Sequence, residues 1–414
     1  MKKILYLFLL TILCYSCSDK TDGYIVFETN ESSCWNIQGQ VERSEKEIVL
    51  KGNKSKAITT TSYRDFILEF ECKTSPDAIG GVVFHSNGYD SQKRGYEVLI
   101  NNNQESEEWR KTGSLSAIRN YGKCLSENDT WVKMRIEVEG SNIKVHVGDY
   151  WVVDYSQPKN PYRQNEYKGR LLSKGVFVFA NYSEAPIAFR NIKVKPLDAI
   201  PFNKTDAINE DNDEFIRLHQ KNFPLFDTNI QLVDSLTPDS MDSLTRKYGI
   251  TYGVVALCGT NSAISTDKQV DEWFDRVGNH LFLLGMKAEG SGWQNLFSQK
   301  SVDRFDYVLT DALTWTESVG QTNIVSNLNF LTEEIITACV ENQVAIEINC
   351  QDKIPNIQSI LLAKESGVHF SFAMNNKVMM NRGEDNQLDY PTEVIKSCEL
   401  EAKDIYIPLA KINR

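Results

Sequence analysis

The chain contains 414 residues, which is long enough for two domains, and it carries 45 Lys and Arg against 56 Asp and Glu, a formal net charge of −11. Phosphate contacts need clustered Lys and Arg, so an acidic chain without a basic run predicts no nucleic-acid partner. The composition, with 24% charged and 41% hydrophobic residues, is otherwise that of an ordinary globular protein.

The amino terminus predicts export to the cell envelope. Two lysines precede the apolar run Ile4–Leu13, and Cys17 follows shortly after. This order is typical of a secretory signal and is too short for a membrane-spanning helix. Cys17 resembles the acylated cysteine of bacterial lipoproteins, and Ser18–Asp22 resembles the export tag of surface lipoproteins of the Bacteroidota. We expect residues 1–17 to be a signal peptide and Cys17 to hold a lipid anchor in the outer membrane; surface exposure and a plain secreted form stay open.

The cysteines beyond the signal do not form a recognisable framework. They are odd in number, scattered and without paired short spacings, which predicts neither a disulfide scaffold nor a zinc site. We expect most of them to be small buried apolar residues. These seven are Cys34, Cys72, Cys124, Cys258, Cys339, Cys350 and Cys398.

The first half of the chain reads as short antiparallel strands. Between Trp131 and Glu139 every second residue is apolar and the residues between them are charged, which is the period of a half-buried strand. The same alternation occurs over 66–70 and, after the turn at Gly140-Ser141, over 143–147. Short strands separated by turns, with no helical period, predict an all-β sandwich of two sheets.

Four spaced blocks of this half resemble a known family. They are Gly80–Asn87, Gly95–Asn101, Thr112–Leu115 and Phe189–Val194, and together they resemble the 3-keto-disaccharide hydrolase domain family. The resemblance implies a concanavalin-like jelly roll over residues 24–197. It also implies that the partner is a saccharide, namely a glycoside already oxidised to a ketone at C3.

The chemistry of such a substrate indicates which side chains are needed. A C3 ketone acidifies the neighbouring C2 proton, so a base can remove that proton and the group at C1 can leave. The site then needs a carboxylate or imidazole base and a cation or donor for the enolate oxygen. The candidate catalytic residues are Glu97 or His85 as base, with Arg119 or Arg190 stabilising the enolate. A bound divalent cation is the alternative to the arginine.

Three further residues are candidates for substrate binding. Alternation places Asn101 on the same strand face as Glu97, where it would orient the sugar. Trp109 lies in a polar loop and would stack on a sugar ring, and Thr112 belongs to the third family block. Four of the candidates have a structural alternative. Glu97 reads equally as a solvated carboxylate, His85 as a structural histidine, Arg190 as a bridge between strands, and Asn101 as part of a turn.

One segment departs from the family pattern. The family usually has a histidine and a glycine near its last strands, whereas this chain has Phe179-Ala180-Asn181-Tyr182. The departure affects catalysis more than sugar binding. The sequence therefore leaves two hypotheses, a hydrolase or lyase of 3-keto-glycosides and a non-catalytic glycan-binding lipoprotein.

Residues 198–221 form an acidic joint, and beyond it strands alternate with helices. This alternation predicts a parallel sheet or barrel whose functional residues gather at the carboxyl ends of the strands. The stretch Glu317–Thr332 looks too short for a full strand–helix unit. The predicted strands are Tyr252–Leu257, Leu281–Met286, Tyr307–Leu309, Val344–Ile348, His369–Phe372 and Ile405–Ile407; the predicted helices are Asp267–Val277, Thr332–Glu341 and Asn356–Glu365.

The segment Pro224–Leu232 resembles the first strand of the PHP (polymerase and histidinol phosphatase) metallohydrolases, and later blocks extend the resemblance to about residue 410. That strand carries two metal-binding histidines in the family, but here the positions hold Asn229 and Gln231. Amide oxygens are poor ligands for zinc or iron. We therefore predict a degenerate PHP-like α/β barrel over 222–414 and no cofactor. Asp227, Glu289 and Glu347 are weak candidates for a hard divalent cation.

Overall fold

The structure is a computed structural model that describes residues 23–88, 94–200, 210–315, 318–374 and 389–412. The signal peptide and Cys17 predicted from the sequence lie outside these residues. In the described part no helix is long and apolar enough to cross a membrane.

The first domain consists of antiparallel strands, as the alternation predicts. Within the described residues they join edge to edge in the order β6-β5-β10-β3-β11-β4-β7-β8-β9, with β1 added to β11 and β2 to β3. The strands are β1 (Ile25–Val26), β2 (Trp35–Arg43), β3 (Ile48–Thr59), β4 (Phe66–Thr74), β5 (Ile79–Ser86), β6 (Tyr96–Asn101), β7 (Val132–Glu139), β8 (Asn142–Val147), β9 (Tyr150–Ser156), β10 (Val176–Asn181) and β11 (Ile187–Pro196).

The long strand β3 connects the two layers of the sandwich. Its residues 48–50 pair with β11 and its residues 56–58 pair with β10. Aromatic rings fill the space between the layers. The ring centres of Phe66 and Phe84 are 5.7 Å apart, and those of Phe70 and Phe179 are 5.4 Å apart. On β7 the residues alternate between buried and accessible, so the predicted period of two is confirmed. The all-β sandwich is therefore present, with its core between β4–β7 and β5–β6–β10.

The second domain is a parallel barrel-like sheet with helices outside it. Its strands follow chain order from β12 to β18, and Thr228 of the first strand lies against Ser371 of the last, with their hydroxyl oxygens 2.5 Å apart. The strands are β12 (Phe226–Ile230), β13 (Thr251–Gly259), β14 (Leu283–Glu289), β15 (Tyr307–Asp311), β16 (Ile324–Ser326), β17 (Ala345–Asn349) and β18 (Phe370–Ala373). The helices are α1 (Glu214–Arg217), α2 (Pro238–Tyr248), α3 (Asp267–Val277), α4 (Gln299–Val302), α5 (Ala312–Trp315), α6 (Glu333–Glu341), α7 (Ile357–Glu365) and α8 (Asp389–Ser397).

The predicted helices begin where capping chemistry places them. The side chains of Thr266, Thr332 and Asn356 each accept a hydrogen bond from a backbone N–H of the first turn of α3, α6 and α7. Two predictions are corrected. The stretch 317–332 does hold a strand, the short β16, and the predicted strand Ile405–Ile407 is only an isolated bridge from Ile405 to Phe370.

The cysteines behave as small apolar side chains. Within the described residues all seven predicted as structural are free, and all except Cys34 are buried. The prediction that most of these cysteines are small buried side chains is therefore confirmed.

A long loop of the sandwich, residues 109–124, packs against the amino ends of the barrel strands. The Tyr121 hydroxyl donates to Leu281 O (2.5 Å), and Gly122 N donates to the hydroxyl of Thr251 (2.9 Å). A Cβ atom on Gly122 would come within 2.2 Å of the Phe226 ring, so glycine is required for this close approach. The two domains therefore share one continuous buried interface.

Candidate functional site

Glu97 lies on the face of β6 opposite the core and forms a cluster with two side chains from elsewhere in the sandwich. Arg170 Nη2 donates to Glu97 Oε2 (3.1 Å), and the Tyr182 hydroxyl donates to Glu97 Oε1 (2.6 Å). Glu97 is 6% exposed and Arg170 is 4% exposed. We call Glu97, Arg170 and Tyr182 the Glu97 cluster.

Local geometry holds the cluster in place. Gly81 on β5 leaves room for the carboxylate, because a Cβ atom there would lie 3.0 Å from Glu97 Oε1. Arg170 comes from the loop between β9 and β10, where its guanidinium lies 5.1 Å from the ring centre of Tyr167. Arg110 adds positive charge nearby and is itself held by Glu108, whose Oε1 accepts from Arg110 Nε at 2.8 Å.

The charges of the cluster keep Glu97 ionised. Burial raises the pKa of Glu97, but Arg170, the Tyr182 hydroxyl and Arg110 together outweigh burial and lower the pKa below its ordinary value. Burial and the neighbouring Glu97 charge raise the pKa of Tyr182, which therefore keeps its proton. The cluster combines a permanent carboxylate, a permanent cation and a neutral hydroxyl donor.

Arg170 also has hydrogen-bonding capacity to spare. Among the residues that the structure describes, no acceptor lies within hydrogen-bonding distance of its buried Nε or Nη1 atoms. Leaving buried N–H groups of a charged side chain unpaired is unfavourable, so such groups are expected to meet an acceptor. Arg170 of the Glu97 cluster therefore carries two buried N–H-bearing atoms that no described residue satisfies.

His85 lies outside the Glu97 cluster. Its φ of 58° breaks the alternation of β5, at the point where the pairing of β5 with β10 shifts register. The ring packs on Phe66 and Phe84, with centroids 5.8 and 5.2 Å away. Nε2 lies 2.7 Å from Arg64 O, and Ser173 N donates to Nδ1 at 3.2 Å. The His85 side chain, whose orientation the sequence left open, therefore points toward the aromatic core. This is the orientation of a structural histidine.

Because His85 is buried, it makes stability depend on pH. Burial lowers its pKa from 6.5 to about 4, so below pH 6.5 the unfolded chain takes up a proton that the folded chain excludes. We expect the free energy of unfolding to fall by about 3 kcal/mol between pH 7.5 and pH 4 through this residue. Urea unfolding of the wild type and of His85→Gln at both pH values measures it. An equal pH dependence in the two proteins would contradict this assignment.

Arg119 and Trp109 belong to the interface between domains instead of the sugar-facing surface. Arg119 Nε donates to Lys247 O (2.6 Å), and its Nη1 lies 3.6 Å from Asp211 Oδ1. Trp109 is only 2% exposed and donates from Nε1 to Asn222 O (3.0 Å). The expected polar loop around Trp109 is in fact covered by the second domain, so its ring is not available as a stacking platform.

Arg190 lies on β11, in the other layer of the sandwich from Glu97. Its Nε donates to Glu71 Oε2 (2.7 Å), and its guanidinium lies 4.1 Å from the ring centre of Trp131. The four predicted catalytic residues therefore lie apart from one another in the structure. Glu97 is the one that belongs to the Glu97 cluster.

Asn101 and Thr112 support the loop that carries Arg110. Asn101 is fully buried and donates from Nδ2 to Glu108 O (2.9 Å) and Arg110 O (2.8 Å). The Thr112 hydroxyl accepts from Asn101 N (2.9 Å) and donates to Asn102 Oδ1 (2.5 Å). In place of the direct sugar contact that the sequence suggests, these two side chains position neighbouring residues.

Sequence reasoning missed Arg170 and Tyr182. Tyr182 ends the segment Phe179–Tyr182, which stands out as a departure from the family, so a signal for it was present. Arg170 lies in an irregular loop 73 positions after Glu97, where no periodicity points to it. Only the folded chain places its guanidinium beside Glu97.

A second polar group lies inside the carboxyl end of the barrel. Asn229 Nδ2 donates to Glu347 Oε2 (2.8 Å), and Lys287 lies near enough for its charge to act on Glu347. Burial raises the pKa of Asp227 to about 7 and that of Glu347 to about 7. Glu289 lies two residues after Lys287 on β14. Its Oε2 accepts a hydrogen bond from the hydroxyl of Ser262 (3.0 Å).

The described residues of the barrel site do not supply the ligands of a transition metal. Among the described residues no three His, Cys, Asp or Glu side chains lie close enough together to hold a metal ion. Asn229, which lies beside Glu347, offers an amide oxygen, and amide oxygens bind zinc and iron poorly.

Comparisons with known proteins identify a family for the sandwich. The 3-keto-alpha-glucoside-1,2-lyase-like domain family matches residues 25–195. A candidate glycosyl hydrolase from Parabacteroides distasonis ATCC 8503 is similar, with 16% identity and a TM-score of 0.39 over 42% of this chain and 95% of that one. The carbohydrate binding module CBM66 from Bacillus subtilis is also similar, with 19% identity and a TM-score of 0.30 over 39% of this chain and 96% of that one. No curated protein matches the sequence. Residues 25–195 are therefore a 3-keto-disaccharide hydrolase-like domain.

Proposed function

We propose that the Glu97 cluster binds a glycoside with a ketone at C3 and removes its C2 proton. The observation that carries this proposal is the pair of buried Arg170 N–H groups without an acceptor, next to an ionised carboxylate. A ketone oxygen at C3 would accept from Arg170, and that contact would place the adjacent C2 proton near Glu97. The match of residues 25–195 to a lyase-like family supports the same chemistry.

The reaction follows from these roles. Glu97 takes the C2 proton, and the electrons of the C–H bond form an enolate whose oxygen is stabilised by Arg170. The enolate then expels the oxygen at C1, forming a C1–C2 double bond and restoring the C3 ketone. The departing oxygen takes up the proton that Glu97 received. The products are a free alcohol and an unsaturated keto sugar, to which water can add at C1.

The lowered pKa of Glu97 has two consequences for this step. The carboxylate is ionised throughout the neutral range, so no fraction of the protein is inactive through protonation. Its affinity for a proton is reduced, but the Arg170 donors offset this because they stabilise the enolate and so acidify the C2–H bond.

A non-catalytic glycan-binding domain is the second candidate. It is favoured by the fact that both carboxylate oxygens of Glu97 already accept hydrogen bonds, one from Arg170 and one from Tyr182. A carboxylate held in this way is suited to orienting sugar hydroxyls. Under this alternative the Arg170 N–H groups would meet a hydroxyl oxygen and no bond would break.

Turnover of a chromogenic keto sugar separates the two candidates. The substrate is p-nitrophenyl 3-keto-α-D-glucopyranoside, with the parent glucoside as control, each assayed with and without EDTA. We expect release of p-nitrophenol from the keto sugar alone. Binding of both compounds without release would establish the glycan-binding alternative. Loss of release in EDTA would show that a cation shares the role given to Arg170.

We further propose that the protein is held in the cell envelope by a lipid on Cys17, with the barrel as a degenerate PHP-like domain beside the sandwich. The support is the order of charged, apolar and cysteine residues at the amino terminus. Metabolic labelling with an alkyne-bearing fatty acid tests the anchor. Label is expected on the wild type and should be lost in Cys17→Ser; equal labelling of both proteins would exclude this site.

A further inference from the structure

The carboxyl end of the barrel presents an unusual set of side chains to its interior. Parallel strands end at the same edge, so Asp227 and Asn229 of β12, Lys287 of β14 and Glu347 of β17 converge there. Below them the interior is filled by apolar side chains, including Phe226 and others that pack with Trp109. The carboxyl end of the barrel is therefore polar above an apolar interior, and we call the polar end formed by Asp227, Asn229, Lys287 and Glu347 the recess.

Two oxygen atoms in this recess lack hydrogen-bond donors. Asp227 Oδ2 and Asn229 Oδ1 are buried, and neither has a partner among the residues that the structure describes. Asp227 is wholly buried, while Asn229 is partly accessible. Buried acceptors without donors are unfavourable in a folded protein, so these two oxygen atoms mark where donors of a bound molecule would lie.

We infer that the barrel mouth binds a small neutral polyhydroxylated molecule, a polyol or monosaccharide, whose hydroxyl groups donate to Asp227 and Asn229. Lys287 and Glu347 complete the site as donor and acceptor for its other hydroxyls. Each sugar hydroxyl both donates and accepts, which matches a recess containing acceptor oxygens and one ammonium group. This inference rests on the barrel residues and is independent of the function proposed for the Glu97 cluster.

The charge of Lys287 favours a neutral ligand over a metal ion. It acts on Glu347 directly, so a divalent cation in the recess would be repelled by a neighbouring ammonium group. The described residues also supply no group of three metal-binding side chains. At the same end of the barrel, Phe330 on the loop after β16 is 80% exposed and offers an aromatic face on which a sugar ring can stack.

Calorimetric titration of the purified full chain with myo-inositol and with methyl α-D-glucopyranoside tests the inference. We expect at least one of the two to bind and Asn229→Ala to weaken that binding at least tenfold. Asp227→Asn, which keeps the shape of the side chain, should weaken it as well. Glu71→Gln alters a strand carboxylate that lies outside both the Glu97 cluster and the barrel, so it serves as the matched control and should leave this affinity unchanged.

Three outcomes would overturn the inference. One is the absence of binding by either compound to a wild type that melts cooperatively. Another is binding that is lost in Arg170→Gln and kept in Asn229→Ala, which would assign the sugar to the sandwich. The last is calcium or magnesium binding that disappears in Asn229→Ala, which would make the recess a cation site. Failure of keto-sugar turnover would leave this result untouched.

Discussion

Replacing Glu97 with glutamine should lower the turnover number for the 3-keto-glycoside by about 10²- to 10⁴-fold, the usual contribution of a positioned general base. The amide keeps the shape of the side chain and can still accept from Tyr182, but it cannot take a proton from C2. Substrate affinity should change much less, because Arg170 keeps its donors for the C3 oxygen. Steady-state release of p-nitrophenol and calorimetric binding of the keto sugar measure the two effects separately.

Glu71→Gln is the matched control for this substitution. Glu71 is also a strand carboxylate paired with an arginine, Arg190, but it lies in the other layer of the sandwich. Its turnover should equal that of the wild type. Wild-type turnover in Glu97→Gln, with a folded protein shown by an unchanged thermal transition, would remove Glu97 from the reaction.

Replacing Trp109 with alanine should destabilise the protein by about 3 to 5 kcal/mol, as for other buried tryptophans. Its ring lies in the apolar floor of the barrel, 5.9 Å from that of Phe226, although Trp109 belongs to the sandwich. The substitution leaves a cavity at the interface, and the carbonyl of Asn222 loses its hydrogen-bond donor. We expect the two domains to unfold at separate urea concentrations in the variant and closer together in the wild type.

Trp131→Ala provides the comparison, because Trp131 is partly exposed and contacts Arg190 at the surface of the sandwich. Its loss should cost about 1 kcal/mol or less. Equal destabilisation by the two substitutions, or an unchanged urea midpoint in Trp109→Ala, would show that the interface does not couple the domains. Turnover of Trp109→Ala should also fall, because Trp109 precedes Arg110 in the loop beside the Glu97 cluster.

The periodic parts of the fold were predictable, because periodicity is a local property of the chain. The alternation over 132–139 gives β7, and the helices after Thr266, Thr332 and Asn356 start at capping residues. The short β16 was missed because three residues carry too little pattern to be recognised.

The side chain of His85 shows the limit of such reasoning. Alternation alone gives a residue two orientations, and the φ of 58° at His85 removes it from that pattern altogether. The backbone irregularity arises from the shifted pairing between β5 and β10, which involves residues about 90 positions apart. No local property of the sequence indicates that shift.

By itself the sequence determined the two-part architecture and the sandwich with its family resemblance, and it named Glu97 as one of two candidate bases. Only the tertiary structure decided the partners of Glu97, the burial of Trp109 under the barrel, and the meeting of Asn229 with Glu347 across 118 positions. The reason is physical. Strand and helix periods reflect interactions between neighbours in the chain. A site is formed by side chains that loops and distant strands bring together, and the spacing of those side chains in the sequence has no regular period.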